Sequence, residues 1–288
     1  MHSLIDSERV IKLVFKLCGG LVSEGSVNTI DDLRAIYLSF LKLATTNAPV
    51  NESKDVFITN LETEKKLADA FHMENSLGNP DQKRGFIGEE FSAMVKNEKV
   101  DLARNALNNL RQLDNDFRTV FDLVVHSIVV RQANSSNGPV AHSSSTACAV
   151  GTIWLSMEDS LNEADIQELF IHELAHQLLF IDDFLYRDFD YERMSKHENF
   201  GLTAISLSPR PLDIVIHSIL VAIELIRARQ LYLGEPANPS VHPRSADIIK
   251  TLGTSIKSLE DASEYKDLIT EHIRDTLKCG LHTLEICS

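Results

Sequence analysis

Apolar residues recur at helical spacing through the first half of the chain. They fall three or four positions apart from about Ser7 to Val130. The clearest runs are Ile30, Leu33, Ile36, Tyr37, Phe40 and Leu41, and then Phe117, Val120, Phe121, Val124 and Val125. This spacing places apolar side chains along one face of a helix. The first half is therefore predicted to be mainly α-helical.

Turn-forming residues divide the chain roughly in half. The Ser/Asn-rich stretch from Asn134 to Pro139 is typical of a loop between two regions of different character. Between Pro139 and Ser156 the residues are small or β-branched, which predicts one or two short strands. Earlier in the chain, the polar and glycine-containing stretch from Asn75 to Gly88 predicts a mobile loop.

The second half contains two strong helical patterns. The first runs from about Glu163 to Phe184, with Asn162 as its N-cap and acidic residues in its first turn. The second begins after Pro211 and runs to about Tyr232, where Gly234 ends it. A weaker helical region follows from Ser245 to about Leu277.

These patterns predict a mainly α fold of the α+β type. A helical N-terminal half is followed by short β strands, a zincin-like active-site helix and a helical C-terminal region. We expect a helical region over residues 1–130 and a metal-binding catalytic region over 131–288. One continuous domain is the alternative, since 288 residues suit one large core or two modest ones.

Composition and charge narrow the classes of function. With a formal net charge of −14 and no local cluster of Lys or Arg, the chain has no field that attracts phosphates, so nucleic acid is not an expected partner. We find no export signal and no apolar run of roughly 18 residues, so we expect a cytoplasmic protein with no membrane partner. The four cysteines form no CxxC pair, which favours reduced thiols. The oligomeric state stays open.

The strongest chemical signal is a His-Glu-x-x-His motif from His172 to His176, inside the first of the two strong helices. Residues four apart lie on one helix face, so both imidazoles can reach one ion at ~2.1 Å. Glu173 is rotated by about 100° from His172, which makes it a poor ligand but a good base or hydrogen-bond partner. The motif predicts a mononuclear metal site, and two ordinary histidines on a partly exposed helix are the alternative.

A third ligand has to come from elsewhere in the chain. The extended zinc-protease motif has Gly three residues after the second His and a ligand six residues after it, where this chain has Leu179 and Asp182. Without that Gly the helix should continue, which leaves Asp182 near a helix end. Glu192, His197 and Glu198 lie at spacings that other zinc peptidases use, but their polar and aperiodic surroundings favour a solvated loop.

His217 is the stronger candidate for the third ligand. It lies in the very apolar second helix, where Asp213, His217 and Glu224 share a narrow polar stripe. Buried polar groups need partners. Because the two-histidine motif lacks a third ligand, we predict that His217 completes it; a histidine held only by hydrogen bonds is the alternative.

Three segments resemble a known family at these residues. They are Phe170-Ile-His-Glu-Leu-Ala-His-Gln-Leu-Leu-Phe, the preceding Gly151-Thr-Ile-Trp-Leu, and the later Pro209-Arg-Pro-Leu-Asp-Ile-Val-Ile-His-Ser. The chain resembles the His-Glu-x-x-His proteins described as 2-oxoglutarate-dependent peptide β-hydroxylases of ribosomal peptide pathways. The resemblance covers roughly the second half, from Gly138 to Arg229.

The resemblance implies iron(II) held by His172, His176 and His217, with 2-oxoglutarate and oxygen as co-substrates. The reaction it implies places a hydroxyl group on the β-carbon of a side chain in a precursor peptide. The usual iron oxygenase triad is two His and one carboxylate, so the resemblance leaves open whether Asp213 or another acid replaces one histidine.

A 2-oxoglutarate site also needs a fixed cation for the distal carboxylate, and a bidentate Arg is the natural choice. Arg210, between two prolines at the start of the His217 helix, is the first candidate. Arg131 and Arg244 are the reserves. A surface turn residue is the alternative interpretation of Arg210.

The polar residues from His142 to Thr146 precede the metal helix. They are candidates to line a substrate groove, with the adjacent strand edge pairing to an extended peptide, although ordinary strand and turn residues explain them nearly as well. Two other functions remain open for the whole site. One is a zinc metallopeptidase with Glu173 as general base, and the other is a non-catalytic helical binding module with a structural metal.

Overall fold

The computed structural model describes residues 3–23, 25–45, 48–72, 86–134, 141–262 and 265–287. Helices dominate these residues and the strands are few and short, so the predicted mainly α class is confirmed. The helices are α1 (Ser7–Leu17), α2 (Ile30–Ala44), α3 (Leu61–Ala70), α4 (Ala93–Leu113), α5 (Asn115–Val124), α6 (Glu163–Tyr186), α7 (Tyr191–Met194), α8 (Leu212–Ala228), α9 (Ser245–Asp261), α10 (Tyr265–Leu268) and α11 (Glu271–Cys287). The mobile loop predicted from Asn75 to Gly88 lies mostly outside the described residues, over 75–85.

Five short strands form two small sheets in the described residues: β1 (Ser127–Val130), β2 (Ser143–Ser144), β3 (Thr152–Leu155), β4 (Phe200–Leu202) and β5 (Pro209–Pro211). In the first sheet β3 lies in the middle, parallel to β1 and antiparallel to β2. The second sheet pairs β4 with β5 in antiparallel fashion. The strands predicted between Pro139 and Ser156 are thus β2 and β3.

The prediction of helical character as far as Val130 is wrong at its end, because Ser127–Val130 forms β1. All four residues are buried, and Ile128 also exchanges backbone hydrogen bonds with Val56 and Ile58 on the side away from β3, at 2.7 and 3.0 Å. A short apolar run that is buried on both faces has no alternation, so periodicity alone cannot distinguish it from a buried helical turn.

The motif lies on α6, the central helix of the fold. A capping box fixes its start, since the Asn162 side chain accepts from the amide of Asp165 and the Asp165 carboxylate accepts from the amide of Asn162, both at 3.1 Å. The helix ends at Arg187, which has a left-handed backbone with φ of 54°. Helices α1, α4, α5 and α8 all pack against α6. This packing fixes the backbone that carries the histidines.

The main hydrophobic core contains residues from both regions of the chain, from Leu4 to Leu277. One direct link between the regions is an edge-to-face contact of Phe121 on α5 with Phe170 on α6, with ring centroids 5.7 Å apart. Another is polar: the amide of Leu4 donates to the Glu224 carboxylate on α8 at 2.8 Å. No described helix is both long and apolar enough to cross a membrane.

Phe170→Ala should destabilise the protein by about 3–5 kcal/mol, because it removes a fully buried ring between α5 and α6 and leaves a cavity. Equilibrium unfolding in urea measures this change in the free energy of unfolding. Leu43→Ala on α2 is the control, since Leu43 is 69% exposed and its loss should stay within about 0.5 kcal/mol of wild type. A Phe170 variant as stable as the Leu43 variant would mean that this contact does not hold the two regions together.

Candidate metal centre

The packing of α6 against α8 brings three predicted residues into one histidine cluster. Nε2 of His172 lies 3.2 Å from Nε2 of His176. Nδ1 of His176 lies 3.1 Å from Nδ1 of His217 on α8. The structure therefore places the His217 ring next to the motif, as a third ligand would require.

The spacing of the two motif nitrogens suits a shared metal ion. Two nitrogens that each bind one ion at ~2.1 Å, at angles of about 90–110°, lie about 3.0–3.4 Å apart. His176, however, turns one ring nitrogen to His172 and the other to His217. Accordingly, no three ligating side chains of the described residues surround a single point. The pair His172 and His176 fits a metal as placed, and a rotation of an imidazole ring is needed to add His217.

All three imidazoles of the cluster favour the neutral form. Desolvation lowers the pKa of His176 to about 4. It lowers the pKa of His172 and His217 well below the ordinary value, and the neighbouring His176 lowers both further. Neutral imidazole is the form that carries a lone pair for a metal. The donor chemistry of the cluster therefore suits a borderline metal ion such as zinc or iron(II).

Glu173 lies on α6 between the two motif histidines and is 1% exposed. Its Oε1 accepts a hydrogen bond of 2.5 Å from the Ser143 hydroxyl on β2. Its Oε2 is buried and has no hydrogen-bond partner among the described residues. Burial raises the pKa of Glu173 to about 7, against the opposing effect of the Ser143 hydrogen bond. A carboxylate with one unpartnered oxygen and a pKa near neutrality can take up and release a proton.

The histidine cluster and Glu173 line a cavity of about 400 Å³, which we call the main cavity. Its other lining residues are Ser143, Ser144, Ser145, Thr146, Ala147, Phe180, Asp183, Phe184, Arg187, Tyr191, Asp213 and Ile214. Four members of the polar stretch from His142 to Thr146 thus face it, as the groove prediction expects. His142 instead lines a second cavity of about 310 Å³, which also touches His172 and His176.

The other candidate ligands lie away from the cluster. Asp182 forms an ion pair with Arg9 and lies 3.3 Å from Nε2 of His272, so its carboxylate already has partners. Glu192 and His197 are exposed and do not line the main cavity. They lie on α7 and on the following 3-10 turn, so the segment predicted as a loop contains two short helical turns, and Glu198 is exposed on the second of them.

The arginine that lines the main cavity is Arg187, which the sequence analysis missed. Arg210 lies on β5 opposite Gly201, where its guanidinium donates to the carbonyl of Pro209 at 3.1 Å. Arg131 bonds Glu90 and Gly88, and Arg244 bonds the carbonyl of Ala237. None of these three is among the residues that line the main cavity.

A signal for Arg187 was present in the sequence. Phe180, Asp183 and Arg187 follow His176 at four, seven and eleven positions, which is one face of a helix. The predicted helix ended at about Phe184, before Arg187, and no Gly or Pro near this position marks where the helix ends. Arg187 itself ends it in a left-handed conformation, which is uncommon for a residue with a Cβ.

His242 is a second residue that the sequence analysis missed. Its Nε2 lies 3.0 Å from Nδ1 of His172, and the two rings stack. Seventy positions separate these residues in the chain, and His242 follows a stretch without helical or strand periodicity. No local pattern could have connected it to the motif.

The comparisons with known proteins add no relative. No known family model matches the chain, and no curated protein is similar in sequence.

The structure makes a direct prediction about metal binding. Wild-type protein should bind one divalent ion per chain, and His217→Ala should weaken binding roughly a hundredfold or more, because a ligand is lost. Metal analysis after dialysis and competition with a chromophoric chelator measure both quantities. His197→Ala removes an exposed imidazole outside the cavity and should bind metal as wild type does. Unchanged affinity of the His217 variant would show that another group completes the site.

A second prediction concerns Asp213, in the first turn of α8. Burial raises its pKa to about 6, although backbone amides of the helix start oppose this. The folded state therefore binds more protons than the unfolded state between pH 4 and 6, and this contribution to stability is lost as pH rises through that window.

The free energy of unfolding of Asp213→Asn relative to that of wild type should accordingly rise by roughly 2 kcal/mol from pH 4 to pH 7.5. Urea unfolding at a series of pH values measures the difference. Asp101→Asn makes the same chemical change at an exposed position of α4 and is the control. A constant difference between wild type and Asp213→Asn across this range would contradict the raised pKa.

Proposed function

We propose that this chain is an iron(II)/2-oxoglutarate-dependent oxygenase that hydroxylates a side-chain β-carbon of a ribosomally synthesised peptide. The observation that carries the proposal is the cluster of His172, His176 and His217, three imidazoles from two helices on the wall of one cavity. These three residues would hold the metal. Bound iron(II) would supply oxygen activation, in a reaction that converts peptide, 2-oxoglutarate and oxygen into hydroxylated peptide, succinate and carbon dioxide.

The choice of iron over zinc depends on the resemblance of the sequence to the peptide β-hydroxylases, because imidazole ligands suit both metals. The shape of the site is compatible with that choice. A cavity of about 400 Å³ has room for a small dicarboxylate and one peptide side chain beside the cluster.

Arg187 is the cation that we propose for the distal carboxylate of 2-oxoglutarate. It lines the same cavity as the three histidines, whereas Arg210 does not. Arg187 is exposed, and its guanidinium interacts electrostatically with Asp183 without a close ion pair among the described residues. A guanidinium that is not engaged in an internal ion pair can form the bidentate contact that a carboxylate favours.

The position of β2 supports a peptide as the substrate. β2 pairs with β3 along one edge only, and within the described residues no strand covers its other edge. Ser143 and Ser144 of β2 also line the main cavity. An extended peptide that added to this edge would bring its side chains next to the histidine cluster.

A zinc metallopeptidase is the second candidate, and Glu173 is the residue that favours it. Its unpartnered Oε2 and its pKa of about 7 suit a general base that takes a proton from water. In the oxygenase the same carboxyl group would instead hold a ligand or water in position through hydrogen bonds, as Ser143 holds it.

Product analysis separates these two candidates. Anaerobic protein loaded with iron(II) and mixed with 2-oxoglutarate and a synthetic peptide library should form succinate once oxygen is admitted. Mass spectrometry should then find peptides that carry one added oxygen atom on an intact backbone. His217→Ala should form neither product, and His197→Ala should form both. Peptide fragments produced with zinc and without 2-oxoglutarate would contradict the oxygenase and support the peptidase.

The choice between the two arginines has its own test. Arg187→Ala should raise the KM for 2-oxoglutarate roughly ten- to a hundredfold, because a charged hydrogen-bond pair is lost, while kcat changes less. Initial rates of succinate formation give both constants. Arg210→Ala is the matched variant and should leave the KM near the wild-type value. A raised KM in Arg210→Ala and an unchanged KM in Arg187→Ala would show that Arg210 binds the distal carboxylate instead.

A further inference from the structure

We infer that His242 is a positioning residue that determines which nitrogen of His172 is offered to the metal. The inference rests on the proposed metal site and adds a residue that the sequence motif does not contain. His242 would act through His172 and would not itself bind the ion.

A continuous chain of contacts leads from a buried ion pair to the histidine cluster, and we call it the Arg229 relay. Nε and Nη2 of Arg229 bind the two carboxylate oxygens of Glu168 at 2.7 and 2.8 Å. Oε2 of Glu168 lies 3.1 Å from Nδ1 of His242. Nε2 of His242 lies 3.0 Å from Nδ1 of His172, and the two rings stack at 22°. Glu168, Arg229 and His242 are all buried.

The carboxylate of Glu168 determines which ring nitrogens of the relay carry a proton. Burial alone would raise the pKa of Glu168, but hydrogen bonds from His242 and Arg229 lower it below the ordinary value. An ionised carboxylate only accepts, so Nδ1 of His242 must carry a proton. In neutral His242 the other nitrogen, Nε2, then has a lone pair and accepts.

The same reasoning assigns the proton of His172. With His242 in its neutral form, Nδ1 of His172 faces the lone pair of His242 and therefore donates. Neutral His172 has one proton, so its Nε2 is left with a lone pair. That nitrogen is the one 3.2 Å from His176 in the cluster. The relay thus selects the tautomer of His172 that can bind a metal.

The fold connects the relay to both helices that carry the cluster. Glu168 lies one turn before His172 on α6, so they share a face. Arg229 begins the π-helical turn, residues 229–233, at the end of the helix that carries His217. Arg229 also donates to the carbonyl of Pro243 at 2.8 Å, which fixes the segment that carries His242. π-helical turns inside or at the end of α-helices are frequent at functional sites.

Protein without metal, labelled with ¹⁵N in its histidines, provides the first test. Two-bond ¹⁵N–¹H correlation spectra report which ring nitrogen carries the proton. The expected result for wild type is a proton on Nδ1 of His172. A proton on Nε2 would overturn the inference, and this measurement needs no variant. It also gives its answer whether or not the protein is an oxygenase.

Variants at residue 242 provide the second test, with cobalt(II) as the metal probe. His242→Ala should weaken cobalt(II) binding roughly ten- to a hundredfold and let His172 take up a mixture of tautomers. His242→Gln should keep most of the wild-type affinity, because its amide oxygen can still accept from Nδ1 of His172 and its amide nitrogen can still donate to Glu168.

His142→Ala is the matched control, since His142 lines the same second cavity but its Nδ1 has no hydrogen-bond partner among the described residues. It should bind cobalt(II) as wild type does. Equal losses in the Gln and Ala variants, or no loss in the Ala variant, would contradict the inference. If wild type binds no cobalt(II), the proposed function fails, and the tautomer of His172 still decides the role of His242.

Discussion

Burial of α6 on almost every side is the constraint on which this structure depends. A buried polar side chain must find a partner, so each polar residue of this helix has to meet another element. Gln177 accepts from the amide of Gly151 at 2.6 Å and donates to the carbonyl of Thr152 at 2.7 Å, which joins α6 to the start of β3. Asp182 forms an ion pair with Arg9, which joins α6 to α1.

The same constraint produces the site. The Glu168 carboxylate binds Arg229, which directly follows α8. It also contacts His242. His172 contacts the imidazole of His242, and His176 contacts that of His217, rather than carboxylates. Carboxylate partners would favour protonated imidazoles, which bind no metal. With imidazoles in place of carboxylates beside them, desolvation lowers the pKa of both rings and the lone pairs remain.

How much the sequence could reveal depended on the range over which each interaction acts. Spacing of four residues inside one helix is local information, so it was enough to put His172 and His176 on one face. His217 could be predicted because a single histidine in a very apolar helix needs a polar partner. The proximity of His217 to His176 then follows from the packing of α8 on α6.

Other features depend on contacts between distant segments, which no local pattern records. His242 lies beside His172 in a segment that Arg229 holds through the carbonyl of Pro243. β1 becomes a strand because neighbours pair with both of its edges, although its sequence could equally belong to a buried helix. Such features require the assembled structure, since the partner that decides each of them lies tens of residues away.

Desolvation also reduces the negative charge expected of a cavity that three acidic residues line. Read as a sequence, Glu173, Asp183 and Asp213 would place three negative charges around the histidines. In the structure, burial raises the pKa of all three, to about 7 for Glu173 and about 6 for Asp213. Repulsion of a dicarboxylate is therefore weaker near neutral pH than the residue count suggests.

Arg187 is exposed at the end of α6, so burial does not act on its guanidinium as it does on the imidazoles and carboxylates that line the same cavity. Desolvation thus acts on only some of the groups that line this cavity. It keeps the imidazoles unprotonated and shifts the carboxylates toward their neutral form. Neutral metal ligands and partly neutralised acids on the buried side of a cavity, with an exposed arginine at its edge, suit the binding of a metal together with a carboxylate.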